Sequence, residues 1–232
     1  VSALAADGDE TATGFGSDGA LSPMDLNLDG VVEDAVDRTL GQLGATKPES
    51  ASVSIVLEPR MAASLLGIVG GMLSGERVLK GRTPFAERMG ETVAAPGLTL
   101  VDDPTDLRSL AADAFDGEGL ATRRNVLIEN GVLQKFVHNS YSARRADAAS
   151  TGNATRGGFS GTPGVGCLAL SLAPGTRTQA ELIAEVDHGL LVQQVQGIHS
   201  GVNPISGDFS TGAAGLLISK GQVGAPVREF TI

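Results

Sequence analysis

The sequence has 232 residues, 41% of them hydrophobic and 19% charged, so it carries enough apolar surface to build a core and is not a disordered acidic chain. Its formal net charge of −10 at pH 7 would repel nucleic-acid phosphates and anionic lipids. The apolar, uncharged stretch Met61–Gly75 is shorter than the roughly 20 residues that cross a bilayer. We therefore expect neither nucleic acid nor a membrane as a partner.

The cysteine content and the two ends of the chain bear on localisation and domain organisation. The single cysteine, Cys167, cannot form an internal disulfide, and Val1–Glu10 lacks the basic segment of a secretory signal, so we expect a cytoplasmic protein. Residues 1–22, with little periodicity, predict a loop or the end of a preceding domain. We expect residues 23–232 to form one domain, and the whole to be a segment of a longer chain.

Helical patterns dominate the first part of the chain. Apolar residues at helical spacing over 32–43 predict a helix with Asp29 as its N-cap and Gly44 just past its end. Pro59, at a first helical position, predicts the start of a second, more apolar helix. The remaining early elements are two short strands and a further helix cap: Ser52–Leu57, Leu98–Val101 and Thr83-Pro84.

Strand and turn patterns dominate from about residue 120. Asn130-Gly131 follows the strand-like run Asn125–Glu129 and predicts a two-residue hairpin turn, which needs positive φ at both residues; Lys220-Gly221 repeats the pattern. Between them, Thr178-x-x-Glu181 predicts a capped helix that Gly189 closes. The predicted fold class is α+β, with early helices packed on a large, mainly antiparallel C-terminal sheet.

The soft ligand and nucleophile candidates are three histidines and Cys167. They show no close metal-ligand spacing, and we expect His138 at a strand end, His188 at a helix C-terminus and His199 at the end of a strand. Surface or hydrogen-bonded histidines are the simpler interpretation, while a zinc site assembled from distant residues remains open. Cys167 lies in an apolar run and is expected to be a buried structural thiol, because a reactive thiolate needs an accessible electropositive setting.

Six segments carry motifs in a fixed order and spacing. The longest is Asn203–Gly215, which reads NPISGDFSTGAAG. The others are Phe115–Gly119, Asn125–Gly131, Ser142–Arg144, Ser150–Ala154 and Pro174-Gly175. Together they resemble the motifs of the TldD/PmbA family, with Asn203–Gly215 matching its signature region, and the resemblance runs from about residue 25 to the end of the chain. Members of this family are modulator-of-gyrase-type proteins that form a cytoplasmic metalloprotease.

The resemblance breaks at the metal motif. The metal-bearing branch carries H-E-x-x-x-H on the helix after a V-L-x-P-type strand, and the matching positions here are Gly67, Ile68 and Met72. None of these can bind zinc as an imidazole does or accept a proton as a glutamate does. Cys167 does not match that branch's third ligand, a cysteine near its C-terminus. The resemblance therefore implies the metal-free PmbA (TldE) branch, with no cofactor in this chain and zinc in a partner subunit.

The signature region allows two interpretations. Its glycines and Asx residues suit tight turns, with Asn203 and Asp208 as turn caps. Alternatively, its open backbone forms a wall of a substrate groove, where an extended peptide pairs with main-chain groups. The substrate-groove candidates are Asn203, Gly207, Asp208, Phe209 and Ser210.

The resemblance implies a function for the chain. We expect a subunit that joins a TldD-type zinc-bearing partner, completes the substrate chamber and helps to cleave unfolded or leader peptides. One alternative is a self-sufficient metallopeptidase with a non-standard zinc site that uses His138, His188 or His199. Another is a non-catalytic peptide-binding or assembly protein.

Overall fold

The computed structural model describes residues 1–232, which form two compact units. Unit 1 comprises Val1–Ala62, Thr176–Gly201 and Ser210–Ile232, and unit 2 comprises Ala63–Gly175 and Val202–Phe209. The α+β class is confirmed. The strands form two four-stranded and two two-stranded sheets instead of one large sheet.

The chain contains twelve strands and six α-helices. The strands are β1 (Ser2–Asp7), β2 (Glu10–Phe15), β3 (Ser54–Leu57), β4 (Leu100–Asp102), β5 (Asn125–Glu129), β6 (Val132–Leu133), β7 (Ala154–Thr155), β8 (Gly164–Val165), β9 (Leu170–Leu172), β10 (His188–Gln196), β11 (Gly212–Ser219) and β12 (Gln222–Thr231). The helices are α1 (Leu28–Leu40), α2 (Pro59–Met72), α3 (Gly75–Leu79), α4 (Ser140–Arg145), α5 (Gln179–Ala184) and α6 (Ile198–Gly201). None of them combines the length and apolar character needed to cross a membrane.

Unit 1 is built on the sheet β12-β11-β10-β3, in which only the β10–β3 pair is parallel. One face of the sheet buries Leu190, Val192, Ala213 and Val227. The turn at Lys220-Gly221 joins β11 to β12 with φ of 49° and 75°, which confirms the predicted hairpin.

The first fifteen residues form a β-hairpin, although their sequence predicted a loop or the end of a preceding domain. β1 and β2 pair antiparallel from Ser2↔Phe15 to Asp7↔Glu10. The hairpin lies directly on α1, and the two elements are so close that a Cβ on Gly14 would lie 2.6 Å from the Ala35 carbonyl oxygen. The domain boundary between residues 22 and 23 stays a prediction.

The predicted caps of α1 are wrong by a few residues at each end. Asn27, not Asp29, is the N-cap, and its Oδ1 accepts the Gly30 N–H at 3.0 Å. The helix ends at Leu40, and Gly41 is its C-cap; Gly44 lies beyond it with φ of 71°.

Unit 2 is built on the antiparallel sheet β6-β5-β4-β9. The turn Asn130-Gly131 joins β5 to β6 with φ of 48° and 83°, as predicted. Residues from α2, from the sheet and from the segment after β6 form the core of this unit. Its fully buried aliphatic side chains are Leu73, Leu100, Leu127, Leu133 and Val137.

Four predicted element ends need correction. The capping box of Thr178 and Glu181 is present, but α5 ends at Ala184, and both His188 and Gly189 belong to β10. Gly189 is required by packing, because a Cβ there would lie 2.5 Å from the Ser54 carbonyl oxygen. His199 lies in the short helix α6 instead of at a strand end. No helix follows Thr83, whose Oγ1 donates to the Met72 carbonyl at 2.7 Å.

Candidate functional site

The three positions that match the metal motif lie on the second half of α2. Gly67 is exposed, with open space where a Cβ would be, whereas Ile68 is half-buried and Met72 is buried. Gly67 has no side chain, Ile68 has an alkyl group and Met72 has a thioether. These groups do not fit a zinc ion, which prefers imidazole, thiolate or carboxylate ligands. Elsewhere too, no three His, Cys, Asp or Glu side chains are grouped so that they could hold a metal ion.

The signature loop, residues 202–209, is exposed and closed by its own backbone. Val202 and Phe209 form an antiparallel bridge across its base, and the Asn203 N–H donates to the Asp208 carbonyl at 2.9 Å. The Gly207 N–H donates to the Asn203 carbonyl at 2.8 Å, and Gly207 has a φ of 86°. The loop therefore needs glycine at this position, because a side chain there would be strained.

The two predicted turn caps of this loop behave differently. Asn203 is an Asx cap, since its Oδ1 accepts the N–H groups of Ile205 at 3.0 Å and Ser206 at 3.4 Å. The Asp208 carboxylate instead accepts the Ser206 hydroxyl at 2.6 Å. Ser210 lies outside the loop, in unit 1, where its N–H donates to the Gly201 carbonyl. The loop thus holds four of the five substrate-groove candidates together, and their groove role stays a prediction.

Unit 2 also contains a buried polar network around Asp102, a residue that the sequence did not single out. Asp102 is fully buried; its Oδ1 accepts the N–H groups of Leu168 and Ala169, and its Oδ2 accepts from Asn153 at 2.6 Å. Asn153 in turn accepts from Asn125 at 3.0 Å. Burial raises the pKa of Asp102 above its ordinary value, although these hydrogen bonds oppose that shift.

The network explains why the S-T-G-N segment has its composition. Asn153 Nδ2 donates to the Gly166 carbonyl as well as to Asp102, and Thr151 Oγ1 donates to Asn153 Oδ1 at 2.7 Å. Each buried polar group has a partner, as a stable interior requires. The function of this motif within unit 2 is therefore to join three separate segments of the chain.

His138 is buried next to this network. Its Nδ1 lies 3.2 Å from Ser142 Oγ, and its backbone N–H donates to Thr151 Oγ1 at 2.7 Å. Burial lowers the pKa of His138 and so favours the neutral ring. Ser142 is fully buried as well, and the pair is therefore closed to a substrate.

Cys167 is partly buried against α2, with Sγ 3.7 Å from the Gly70 carbonyl. Burial, with a smaller contribution from the nearby Asp102 carboxylate, raises the pKa of its thiol to about 12. A thiol in this state is not a nucleophile at neutral pH, which agrees with the predicted structural role.

Unit 1 has a cleft of about 580 Å³ between the β1–β2 hairpin, the start of α2 and β10. Arg38 and Gln193 line this cleft, and each donates to the carboxylate of the buried Glu58 at 2.6 Å. A β-bulge in β10 between Val192 and Gln194 aims Gln193 at Glu58. Burial would lower the pKa of Arg38, but its bonds to Glu58 and Asp34 outweigh burial and raise it.

Sequence reasoning did not find this cluster. Glu58 and Gln193 are 135 residues apart, and only the parallel β10–β3 pairing brings them together. The one local sequence signal for the cluster was Glu58, a charged residue at the junction between a strand and the helix that Pro59 begins. Glu58 is buried in the structure, and a buried carboxylate requires a partner.

Comparison with known proteins agrees with these features. The family model described as the PmbA/TldA metallopeptidase C-terminal domain matches residues 50–232. Metalloprotease PmbA from Escherichia coli O157:H7 is 32% identical over 199 residues, which cover 86% of this chain and 42% of that protein.

Two solved structures share the fold along nearly the whole chain. A Thermotoga maritima protein provisionally described as a modulator of a DNA gyrase has a TM-score of 0.92 at 31% identity, covering 100% of this chain and 52% of that one. TldE from Thermococcus kodakarensis has a TM-score of 0.87 at 33% identity, covering 97% and 51%. The chain spans about half the length of these relatives. It belongs to the PmbA/TldD metallopeptidase family and corresponds to the C-terminal portion of its members.

Proposed function

We propose that this chain is part of the metal-free, TldE-type subunit of a cytoplasmic TldD/TldE-type zinc protease that cleaves unfolded or leader peptides. Its task is to complete the substrate chamber and to hold peptide, while a TldD-type partner supplies the zinc. The observation that carries the proposal is the donor set on α2, where Gly67, Ile68 and Met72 stand at the ligand and base positions. Because these positions offer neither a metal ligand nor a base, the remaining role of α2 is packing.

The alternative of a self-sufficient zinc site has less support. Of its three histidines, His138 is buried beside Ser142, whereas His188 and His199 are exposed on β10 and α6. No grouping of these histidines with a third ligand is present in the chain.

Metal analysis and peptide cleavage test the proposal together. The chain, dialysed against zinc and then against buffer, is expected to retain no stoichiometric zinc and to cleave no peptide alone. Mixing it with the TldD-type homologue of the same organism is expected to give a complex that holds zinc and cleaves an unstructured peptide. The control replaces the motif glutamate of the homologue by glutamine, which should abolish cleavage although this chain is unchanged. About one zinc per chain in the isolated protein, or cleavage with the control partner, would contradict the proposal.

A further inference from the structure

The signature loop, residues 202–209, is shaped by hydrogen bonds that lie within the loop. Its backbone bonds join Asn203 to Asp208 and Gly207, and its side-chain bonds run among Asn203, Ile205, Ser206 and Asp208. These bonds determine the conformation of the loop but not its position in unit 2. The position therefore depends on the two ends of the loop and on packing against the rest of the unit.

One packing contact joins Gly207 to Pro84, which begins a turn after α3. A Cβ on Gly207 would lie 3.4 Å from Cγ and 3.8 Å from Cβ of Pro84, and it would meet no other atom within 4 Å. The loop therefore passes directly next to the proline ring, with Gly207 turned towards it. Both residues belong to unit 2.

Pro84 is held by both of its neighbours in the chain. Thr83 is buried, and its Oγ1 donates to the Met72 carbonyl at 2.7 Å. On the other side, Phe85 packs against the core of unit 2, and its N–H donates to Thr83 Oγ1 at 3.3 Å. A proline ring fixes its own φ and restricts the residue before it to extended conformations, so these anchors leave the Pro84 ring little freedom.

The anchor of Thr83 is itself fixed. The Met72 carbonyl is among the last carbonyls of α2, which have no partner within the helix. The next residue, Leu73, is fully buried, and its carbonyl accepts the Val137 N–H at 3.1 Å. A continuous series of contacts therefore connects the end of α2, through Thr83 and Pro84, to Gly207 of the signature loop.

We propose that Thr83 and Pro84 are positioning residues for the substrate peptide. The Thr83 hydroxyl, bound to the Met72 carbonyl, holds the Pro84 ring at the place where the signature loop meets an extended peptide. This inference rests on the proposed function, in which the chain holds peptide for a TldD-type partner. Both residues act through Gly207, so their loss displaces a loop whose own hydrogen bonds remain intact.

Peptide cleavage by the full chain in complex with the TldD-type homologue tests Thr83. Thr83→Val keeps the size of the side chain and removes the hydroxyl. We expect kcat/KM for an unstructured peptide to fall at least about fivefold, mainly through KM, because a displaced loop weakens the binding of substrate and transition state alike. Thr83→Ser keeps the hydroxyl and is expected to restore the kinetics of the parent.

Thr122 provides the matched control for a loss of stability. It is a buried threonine of unit 2, and its Oγ1 donates to the Asp113 carbonyl at 2.5 Å. Thr122→Val therefore loses the same kind of hydrogen bond and is expected to leave KM unchanged. Urea unfolding of the two valine variants checks that their losses of stability are comparable.

A double-mutant cycle tests whether Thr83 acts through Pro84. Pro84→Ala removes Cγ, the ring atom that would lie nearest a Cβ on Gly207, and is expected to raise KM as Thr83→Val does. The variant with both substitutions is expected to be no worse than the more severe single variant, because both remove one contact. Independent, additive effects on kcat/KM would contradict the proposal.

Fluorescence reports the loop itself in the chain alone. The chain contains no tryptophan, so Ile205→Trp, at a half-exposed position of the loop, introduces a single probe. Adding Thr83→Val is expected to lower the anisotropy of this tryptophan, whereas adding Thr122→Val is expected to leave it unchanged. Equal anisotropy in all three proteins would overturn the positioning role.

The kinetic outcomes separate the two proposals. If the parent complex cleaves peptide and both Thr83→Val and Pro84→Ala leave KM unchanged, the positioning role is wrong while the proposed function stands. If Thr122→Val raises KM as much as Thr83→Val does, the hydroxyl only stabilises unit 2 and the inference is overturned. If the parent chain and the homologue cleave no peptide together, the proposed function fails and this inference fails with it.

Discussion

Gly75 packs directly against the ring of His138. A Cβ on Gly75 would lie 2.1 Å from Cε1 and 2.2 Å from Nδ1 of that ring. The ring cannot move away cheaply, because it is buried and its Nδ1 contacts Ser142. We expect Gly75→Ala to lower the free energy of unfolding by about 1–3 kcal/mol, as overpacked cores do. Urea unfolding measures this directly.

Gly67 provides the matched control for that substitution. It is exposed within α2, and a Cβ there would meet nothing within 4 Å. Gly67→Ala is therefore expected to raise the unfolding free energy by up to about 1 kcal/mol, since alanine favours the helix over glycine. Equal effects of the two variants would contradict the packing argument.

The burial of His138 makes stability depend on pH. Burial lowers the pKa of His138 in the folded state below the value of about 6.5 in an unfolded chain. The unfolded chain therefore binds more protons, and this group's contribution to stability is complete above about pH 6.5 and decreases as pH falls towards the folded pKa. We expect the unfolding free energy to fall between about pH 7.5 and pH 5.5, and to fall less in His138→Asn. An identical pH dependence in the two proteins would exclude His138 as the cause.

At the scale of elements, the turn between β5 and β6 combines two demands on Gly131. Its φ is 83°, and a Cβ there would lie 2.5 Å from the Ala94 carbonyl oxygen. Gly119 has a φ of 78° but open space around it. We expect Gly119→Ala to cost about 1 kcal/mol, from backbone strain alone, and Gly131→Ala to cost about 3 kcal/mol, from strain and displacement of the Ala94 carbonyl. Thermal unfolding of both variants tests the difference.

Elements that depend on local sequence could be predicted, and those that depend on distant partners could not. The turn at Asn130-Gly131 and the capping box at Thr178 follow from the residues themselves, so sequence was sufficient. Gly189 was assigned to a helix end, because its true role, a close approach to Ser54, depends on a strand over a hundred residues away. The β1–β2 hairpin did have a local signal, the two-residue turn Gly8-Asp9 between the paired Asp7 and Glu10, with φ of 58° at Gly8.

The same division applies to the candidate site. The departure from the family's metal motif is visible in three residues of one helix, because that motif is local, and the absence of zinc from this chain stays a prediction. The clusters around Asp102 and Glu58 could not, since their partners come from separate segments that only the folded chain brings together. Asp208 shows the limit within one loop: its type suits a turn cap, but its carboxylate binds the Ser206 side chain.

At the scale of the whole molecule, net charge is distributed unevenly. Residues 1–37 contain no basic side chain, whereas the basic residues of the rest offset most of its acids. The acidic first segment therefore lies in unit 1, whereas the signature loop belongs to unit 2.

The proposed role of the signature loop in holding peptide is tested by peptide cleavage in the assembled complex. A protease must hold its peptide so that the scissile carbonyl reaches the catalytic water, and small displacements of the holding surface reduce the rate strongly. Gly207→Val forces a branched side chain into a φ of 86°, and Asp208→Ala removes the acceptor of the Ser206 hydroxyl. In the complex with the TldD-type partner, we expect either variant to lower peptide cleavage at least about tenfold, with zinc content and pairing unchanged.

Gly175→Val, at an exposed glycine of unit 2 with open space around it, is the matched control and should cleave like the parent. If both loop variants assemble and cleave normally, the loop is only a turn; if they fail to assemble, it belongs to the subunit interface instead.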